Sequence, residues 1–544
     1  MKKLIALLLA TLFIVTIAAG CASDGGGSQV SDPTPPSETS TSEPAGTTEE
    51  PHTPSDEPVV LNFLTPGPGM QRDTIEVWEA FNEELQKHLP HITVNFTVAT
   101  FEDYGDTFNL AMAAQEQFDI AWFGWMFSLG NEVERGSLIP LTDLVEDYGQ
   151  DIIAFFGRDH MDAIKFRGDI WSIPSWQGMT RGRHGLFMPQ ELIDLAGGQA
   201  WLDEMQKIAY EMRLSDKPEE KERLWLGFEE YLESAKEADL LEMGYSVGLL
   251  EGHFLLAGAY NIHFLAYVNY YDDTFTVNDY YASDMMQMNY RTVAEWHKKG
   301  YFHPDIASLE RTWPDWRANQ TWRGDFIGMG ADARDDKAAS QASMQNGFET
   351  NVVFNKENLE FVVDRMGLTI PYTAQHPVEA MQFINFLYSD EGADAYNIFM
   401  YGLEGQHWDY NAEGVAILAE GTYADVSWNY GSWAWMWGSM MSALNTEDTS
   451  KEEMQSRRDS EKDAWRNPLS GFIFDTGPIT TEFNMIQSVR NVYEGVLMRG
   501  YLEDGWEDYY NEFMDKMQEA GIEAYLAELQ RQITAYVAET GVSW

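Results

Sequence analysis

VVLNFLTPGPGMQRDTIEVWEAFNEELQKHLPHITVNFTVATFEDYGDTFNLAMAAQEQFDIAWFG, residues 59–124, decides the fold class. VVLNFLT (59–65) reads as a buried strand, and PGPG (66–69) as the turn that closes it. Trp78, Phe81, Leu85 and Leu89 then recur at three- and four-residue spacing, the pattern of a helix with one apolar face. Ile92, Val94, Phe96 and Val98 alternate and read as a second strand. Another helical stretch leads to the short apolar strand FDIAWFG (118–124). Strand, helix, strand, helix, strand predicts an α/β layer with a parallel sheet. Ligands of such sheets sit at the carboxyl ends of the strands, and Trp122, Gly124 and Trp125 lie at or just beyond one such end.

Further along, FRGDIWSIP (166–174) and RGDFIGMG (323–330) read as strands, and VEAMQFINFLY (378–388) as a helix with an apolar face. Residues 186–300 carry mostly helical patterns, including the charged stretch 215–239, read as a solvated amphipathic helix. Residues 425–475 are rich in Trp and Gly, and 480–540 are again helical in pattern, with Tyr525, Leu529, Ile533 and Val537 in phase. A chain of 544 residues is too long for one core, so at least two lobes are expected.

Charge narrows the partners. Asp plus Glu number 88 against 35 Lys plus Arg, a formal net charge of -53. So acidic a surface repels nucleic acid and anionic lipid headgroups. Solubility accounts for the acidity without a ligand; a cationic ligand is the sharper reading. The single cysteine, Cys21, excludes an intramolecular disulfide and metal sites built on several thiolates.

The amino-terminal region is a separate matter. Lys2 and Lys3 precede the apolar run Leu4–Ala19, a signal peptide pattern (residues 1–20) shorter than the about 20 residues of a comfortable membrane span. Ala18-Ala19-Gly20-Cys21 resembles the lipobox of bacterial lipoproteins, with Ala18 where Leu is usual. The resemblance implies cleavage before Cys21 and lipidation of its thiol; an uncleaved anchor helix is the alternative. Residues 21–57 are rich in Gly, Ser, Thr, Pro and acids, and are expected to form a disordered tether.

Several segments of the body are together similar to family 1 extracellular solute-binding proteins of ABC importers. FDIAWFGWMFSLGNEVERGSLIPLTDL (118–144) resembles that family's Asp-Ile, aromatic, Gly-x-Leu-x-Pro-Leu stretch. KFRGDIWSIPSW (165–176) resembles its Gly-x-x-Tyr-x-Ile-Pro hinge strand, with Trp171 where Tyr is usual. AEWHKKGYFHPDIAS (294–308) and TAQHPVEAMQFINFLYSDEGADAYNIFMYGLEGQHWDY (373–410) resemble two further family segments, His376-Pro377 replacing Asn-Pro. The last of these, with SGFIFDTGPITTEF (470–483), resembles a subgroup carrying a long C-terminal extension of uncharacterised role. The resemblance implies a two-lobe periplasmic-binding-protein-like α/β fold of type II. Each lobe would be a mostly parallel sheet flanked by helices, with a mainly helical C-terminal extension. The expected partition is 58–171 with 326–375 in lobe 1, 172–325 with 376–424 in lobe 2, and 425–544 packed on both.

The same resemblance implies an extracytoplasmic, lipid-anchored, monomeric protein that captures solute between its lobes and delivers it to ABC permease subunits. With 19 Trp, 26 Tyr and 29 Phe, the chain has the rings a sugar site needs. An aromatic face covers the C–H side of a pyranose, while polar groups satisfy its hydroxyls. The candidate ligand-binding residues are Trp122, Trp125, Trp176, Trp322, Asp332, Glu404, Trp433 and Trp435, each Trp having a place in the core as its alternative. Trp433-Ala-Trp435-Met-Trp437 alternates like a strand with three rings on one face, either walling the cleft or packing the extension. No cofactor and no metal is expected. The chain has no Gly-x-Ser-x-Gly elbow, His-Glu-x-x-His, Walker loop or dinucleotide fingerprint, and the expected function is binding, not catalysis. An oligosaccharide is the expected cargo. A peptide or cationic solute, and then a secreted polysaccharide-degrading enzyme, are the alternatives.

Overall fold

The computed structural model describes residues 57–181, 185–215, 217–239, 258–302, 306–307, 327–329, 349–354, 360–363, 365–419, 430, 432–446 and 449–544. All belong to one compact unit, His52–Trp544. Cys21 and the tether, and the candidates Trp322 and Asp332, lie outside them.

The strands read from residues 59–124 form the first sheet. β1 (Val59–Pro66) pairs in parallel with β2 (Ile92–Ala99), Val59 opposite Ile92, and with β3 (Ile120–Phe123), Phe63 opposite Ile120. Helices Thr74–Leu85 and Phe101–Ala114 make the crossovers. β1 is buried along nearly its whole length, as expected of a central strand covered on both faces. β2 lies at the edge and buries Ile92, Val94 and Phe96 while Asn95 and Thr97 face outward.

The sheet is completed by a strand that returns after the second lobe has been built. Gly367–Thr369 pairs antiparallel with β3, and β4 (Ile173–Pro174) pairs antiparallel with it in turn. The order is therefore β2, β1, β3, the returning strand, β4. Gly367 is required where the two crossing segments meet: a Cβ there would stand 1.9 Å from the Ile173 carbonyl oxygen.

Residues between these crossings build the second lobe. Its sheet is antiparallel, with Gly185–Pro189 between Ile327–Met329 and Thr350–Phe354. That departs from the mostly parallel sheet expected in each lobe. Helices Gln190–Ala196, Gln199–Met212, Pro218–Glu237 and Asp284–Lys298 pack around Trp225, Tyr281 and Trp296. Within 215–239, Pro218–Glu237 forms the expected amphipathic helix, burying Leu224, Trp225, Phe228, Tyr231 and Leu232 on one side. A three-stranded meander, Ala259–Ile262, Ala266–Asn269 and Val277–Asp279, interrupts the helical pattern expected across 186–300.

The lobe boundaries differ from the expected partition. Helices Pro377–Phe386 and Ala393–Tyr401, expected in lobe 2, bury Met381, Phe383 and Phe399 in the first core with Phe63 and Phe81. Strand Ile327–Met329, expected in lobe 1, pairs in the second lobe's sheet. The extension divides. Met436, Trp437, Ala443 and Leu444 belong to the first core, whereas Leu469, Ile486, Phe513, Tyr525 and Ile533 belong to the second. Helices Thr480–Met498, Trp506–Ala520 and Ile522–Thr540 thus complete the second lobe. Contact across hundreds of residues decides these assignments, and no local periodicity carries that information.

The chain therefore passes between the lobes three times. Thr180–Arg181, Glu360–Phe361 and Trp465–Arg466 lie side by side as a small sheet. Trp176, Met179, Phe361 and Met454 form a separate apolar cluster beside it.

Candidate functional site

β3 ends at Phe123, and the next residue must be Gly124. The Trp122 ring folds over it so closely that a Cβ would fall 1.9 Å from the ring. Trp122 is fully buried and donates its indole N–H to the Met436 carbonyl at 3.0 Å. Tyr104 donates its hydroxyl to the Trp122 carbonyl at 2.7 Å, which fixes the strand end from the helix side. Trp122 thus supports its neighbours and offers no ring surface to a ligand.

Four other rings make the surface. Trp125 is 64% exposed and stacks on Trp435, with centroids 5.8 Å apart and planes at 23°. Phe101, at the start of the second crossover helix, stacks on Trp433 at 4.6 Å and 15°, and lies nearly parallel to Trp435 at 6.1 Å and 10°. Trp433 and Trp435 are themselves 6.4 Å apart at 22°. Phe101, Trp433 and Trp435 are partly exposed. The result is a shelf of near-parallel rings at the carboxyl ends of the first sheet. Phe101 escaped the sequence reading; its place directly after β2, at the same sheet edge as Trp125, is the signal that could have found it.

Residues 433–437 do not form the alternating strand expected. They run through turns, with Met436 N–H bonded to the Trp433 carbonyl at 2.9 Å. Trp437 points the other way, into the first core, against Phe399 at 4.7 Å and Phe63 at 5.5 Å. The segment is pinned to the sheet from several sides. Ser432 donates to the Pro66 carbonyl at 3.2 Å, Trp78 to the Tyr430 carbonyl at 2.8 Å, and Tyr396 to the Ala434 carbonyl at 2.5 Å. Trp176 and Met440 add two backbone bonds, each 2.9 Å, at Gly438 and Trp176. Rings held this way lose little freedom when a ligand arrives.

The remaining candidates lie elsewhere. Trp176 is fully buried among Phe155, Met179 and Met454, and donates its indole N–H to Glu461 at 2.8 Å. It is a structural member of the crossing region. Glu404 lines another cavity of the first lobe, about 840 Å³, with Trp408, Tyr410, Asn445 and Lys451. Among the described residues no group of His, Cys, Asp or Glu is placed to hold a metal ion, and no helix is long and apolar enough to cross a membrane.

A first parallel sheet completed by a returning antiparallel strand, with a second α/β lobe inserted between, is the two-lobe fold of extracytoplasmic solute-binding proteins. The comparisons with known proteins agree. A curated carbohydrate ABC transporter substrate-binding protein of Streptococcus pneumoniae is 20% identical over 451 residues, 80% of this chain and 82% of the relative. The crystal structure of the N-glycan transport solute binding protein NgtS of the same organism superposes with a TM-score of 0.66 at 16% identity, covering 89% of this chain and 100% of that one. The S. pneumoniae substrate binding protein FusA, in complex with kestose, gives 0.53 at 14% identity over 88% and 100%. Residues 468–538 match a domain of unknown function, DUF3502. The match lies within the extension, whose helices here complete the second lobe. The fold class and the solute-binding resemblance read from the sequence are both borne out.

Proposed function

We propose that this chain is the extracytoplasmic, lipid-anchored capture subunit of an ABC importer. Its cargo is an oligosaccharide, bound on the shelf of Phe101, Trp125, Trp433 and Trp435 and handed to the permease when the lobes close. The observation that carries this reading is the shelf: near-parallel, partly exposed rings on a pinned segment at the carboxyl ends of a parallel sheet. Flat rings cover the C–H face of a sugar. A pinned platform keeps the ordering cost of binding low. Closure of the second lobe over the first is a hinge motion, here about the three crossing segments.

The curated relative is named for carbohydrate, and the solved relatives include NgtS in complex with Man1GlcNAc and FusA with kestose. The arrangement of the rings also argues against the cationic alternative. A quaternary ammonium cage surrounds its ligand with rings at steep angles; these four lie within 33° of one another wherever their planes are paired. In this reading the protein binds and releases its ligand unchanged. The lipid on Cys21 and the tether of residues 21–57 hold it at the membrane, and it acts as a monomer.

The test is a thermal-shift screen of the purified protein against a glycan library, with peptides and quaternary amines as controls. Ligand at about a hundred times its dissociation constant adds roughly 2.7 kcal/mol of stability. A shift with one glycan family, with the glycan recovered intact, is the expected result. A shift with peptides or amines alone would overturn it.

A further inference from the structure

A second cavity, about 690 Å³, opens beside the crossing segments, and its charge runs against that of the chain. Acids outnumber bases 88 to 35 overall, yet Arg158, Arg458, Lys462 and Arg466 line this cavity against two carboxylates, Asp159 and Glu461. Glu461 is already engaged. It accepts from Trp176 at 2.8 Å, from the Met179 backbone N–H at 2.9 Å and from Arg458 at 2.8 Å. Arg158 and Lys462 pair with Glu146 and Asp459 in exposed ion pairs of 2.7 Å, which contribute little and exchange readily.

Two groups are left over. The Arg466 guanidinium lies over the Phe361 ring, 4.0 Å from its centroid, and has no carboxylate partner among the described residues. His160 is 7% exposed, and neither ring nitrogen has a hydrogen-bond partner among the described residues. Its ring stacks on Phe156 at 5.3 Å and meets the edge of Phe361 at 5.9 Å, so Phe361 touches both groups. Burial first, then Arg365, Arg466 and Arg458, depress its pKa to about 4. At neutral pH the ring is therefore uncharged and carries one N–H to donate.

We infer that this cavity is an oxyanion site, in which Arg466 and the His160 N–H donate to a carboxylate, sulfate or phosphate group. Guanidinium groups match the planar pairs of oxygens such anions present. Phe361 stands on a crossing segment and His160 on the first-lobe helix Arg158–Ala163, so a bound anion would brace that crossing against the first lobe. The oxyanion could be a free inorganic ion or the acidic group of a sugar.

The experiment is a calorimetric and thermal titration of the purified protein at pH 7.5 with sulfate, phosphate and glucuronate, against sodium chloride at matched ionic strength and against glucose. At least one oxyanion should bind saturably at millimolar concentration and raise Tm beyond the chloride control. Arg466→Gln should weaken that binding by about tenfold or more, while Arg531→Gln, on an exposed C-terminal helix site, should leave it unchanged. The His160 imidazole resonances should move with the anion in the unsubstituted protein. A response to sulfate or phosphate assigns the free ion; a response to glucuronate alone assigns the acidic sugar. No saturable response beyond chloride, or an Arg466→Gln protein that titrates like the unsubstituted one, would overturn the proposal. Trp125→Ala should not affect it, so this site and the shelf can fail separately.

Discussion

Aromatic rings are dense in two regions of this molecule, and they are arranged differently. In the second core, where the extension packs, rings are enclosed and meet both edge to face, Tyr281 with Phe513 at 80° and Tyr280 with Tyr281 at 86°, and face to face, Phe513 with Tyr493 at 21°. Their polar tips are used internally, Tyr510 donating to the Tyr281 carbonyl at 2.9 Å and Tyr281 to Glu494 at 2.6 Å. On the shelf, rings lie nearly parallel and are partly exposed, Trp125 most of all. Edge-to-face and offset-stacked contacts together close the second core. A partly exposed row leaves flat faces for something else to cover. Residue type and ring angle alone do not separate a core from a platform here; exposure does.

The largest expected effect breaks the second region. Phe513 is fully buried between Tyr281 and Tyr493. Phe513→Ala should cost about 3–5 kcal/mol of stability in denaturant unfolding, with glycan affinity at low temperature unchanged. A loss of affinity equal to that of a shelf variant would erase the distinction.

Acid weighs a buried group beside the crossing segments, apart from both ring regions. The pKa of His160 is depressed from 6.5 to about 4 in the folded protein. Below pH 6.5 the unfolded chain takes up a proton that the folded one refuses. Stability is therefore whole above pH 6.5, falls as the pH drops toward about 4, and is then level for this group. At about 1.4 kcal/mol per pKa unit, the loss is about 3–3.5 kcal/mol. His160→Gln should flatten that window in urea melts taken from pH 4 to 7. An unchanged slope would show that His160 is not buried neutral.

The sequence made one region far more legible than the other. β1, β2 and β3 were readable because each is a short run with a clear period, separated by turn residues. The helices of 480–540 were readable for the same reason. The meander at 259–279 was not, because four-residue strands such as Ala259–Ile262 are too short to declare a period. At the site, Trp125 was legible as a ring beyond a strand end. Trp176 looked identical by that criterion; what encloses it is Glu461, 285 residues away. The strand expected at 433–437 came from a spacing of two that turns reproduce by chance. Trp322 and Asp332 lie outside the described residues and stay expectations.

Gly124 tests whether the shelf depends on its support. A Cβ at 1.9 Å from the enclosed Trp122 ring must push the ring off its hydrogen bond to Met436. Gly124→Ala should cost about 1–3 kcal/mol, the range for overpacking a filled site, and should change the near-ultraviolet circular dichroism of the stacked Trp. A silent substitution would mean that Trp122 can leave its place without disturbing Trp435.

Trp125→Ala has the smallest expected cost to folding and sharpens the comparison most. The ring is 64% exposed and its indole makes no hydrogen bond among the described residues, so its removal should change stability by no more than about 0.5 kcal/mol, as at other surface sites. If the ring is a platform for a sugar face, the same substitution should weaken glycan binding by about 2 kcal/mol, roughly thirtyfold in Kd, the scale of a central aromatic anchor. Phe513→Ala should give the opposite pair of results. Calorimetric titration and urea unfolding of the two variants side by side measure all four quantities. If Trp125→Ala unfolds the protein early, or binds as tightly as the unsubstituted protein, then the open rings are packing for the lobe edge and the ligand lies elsewhere.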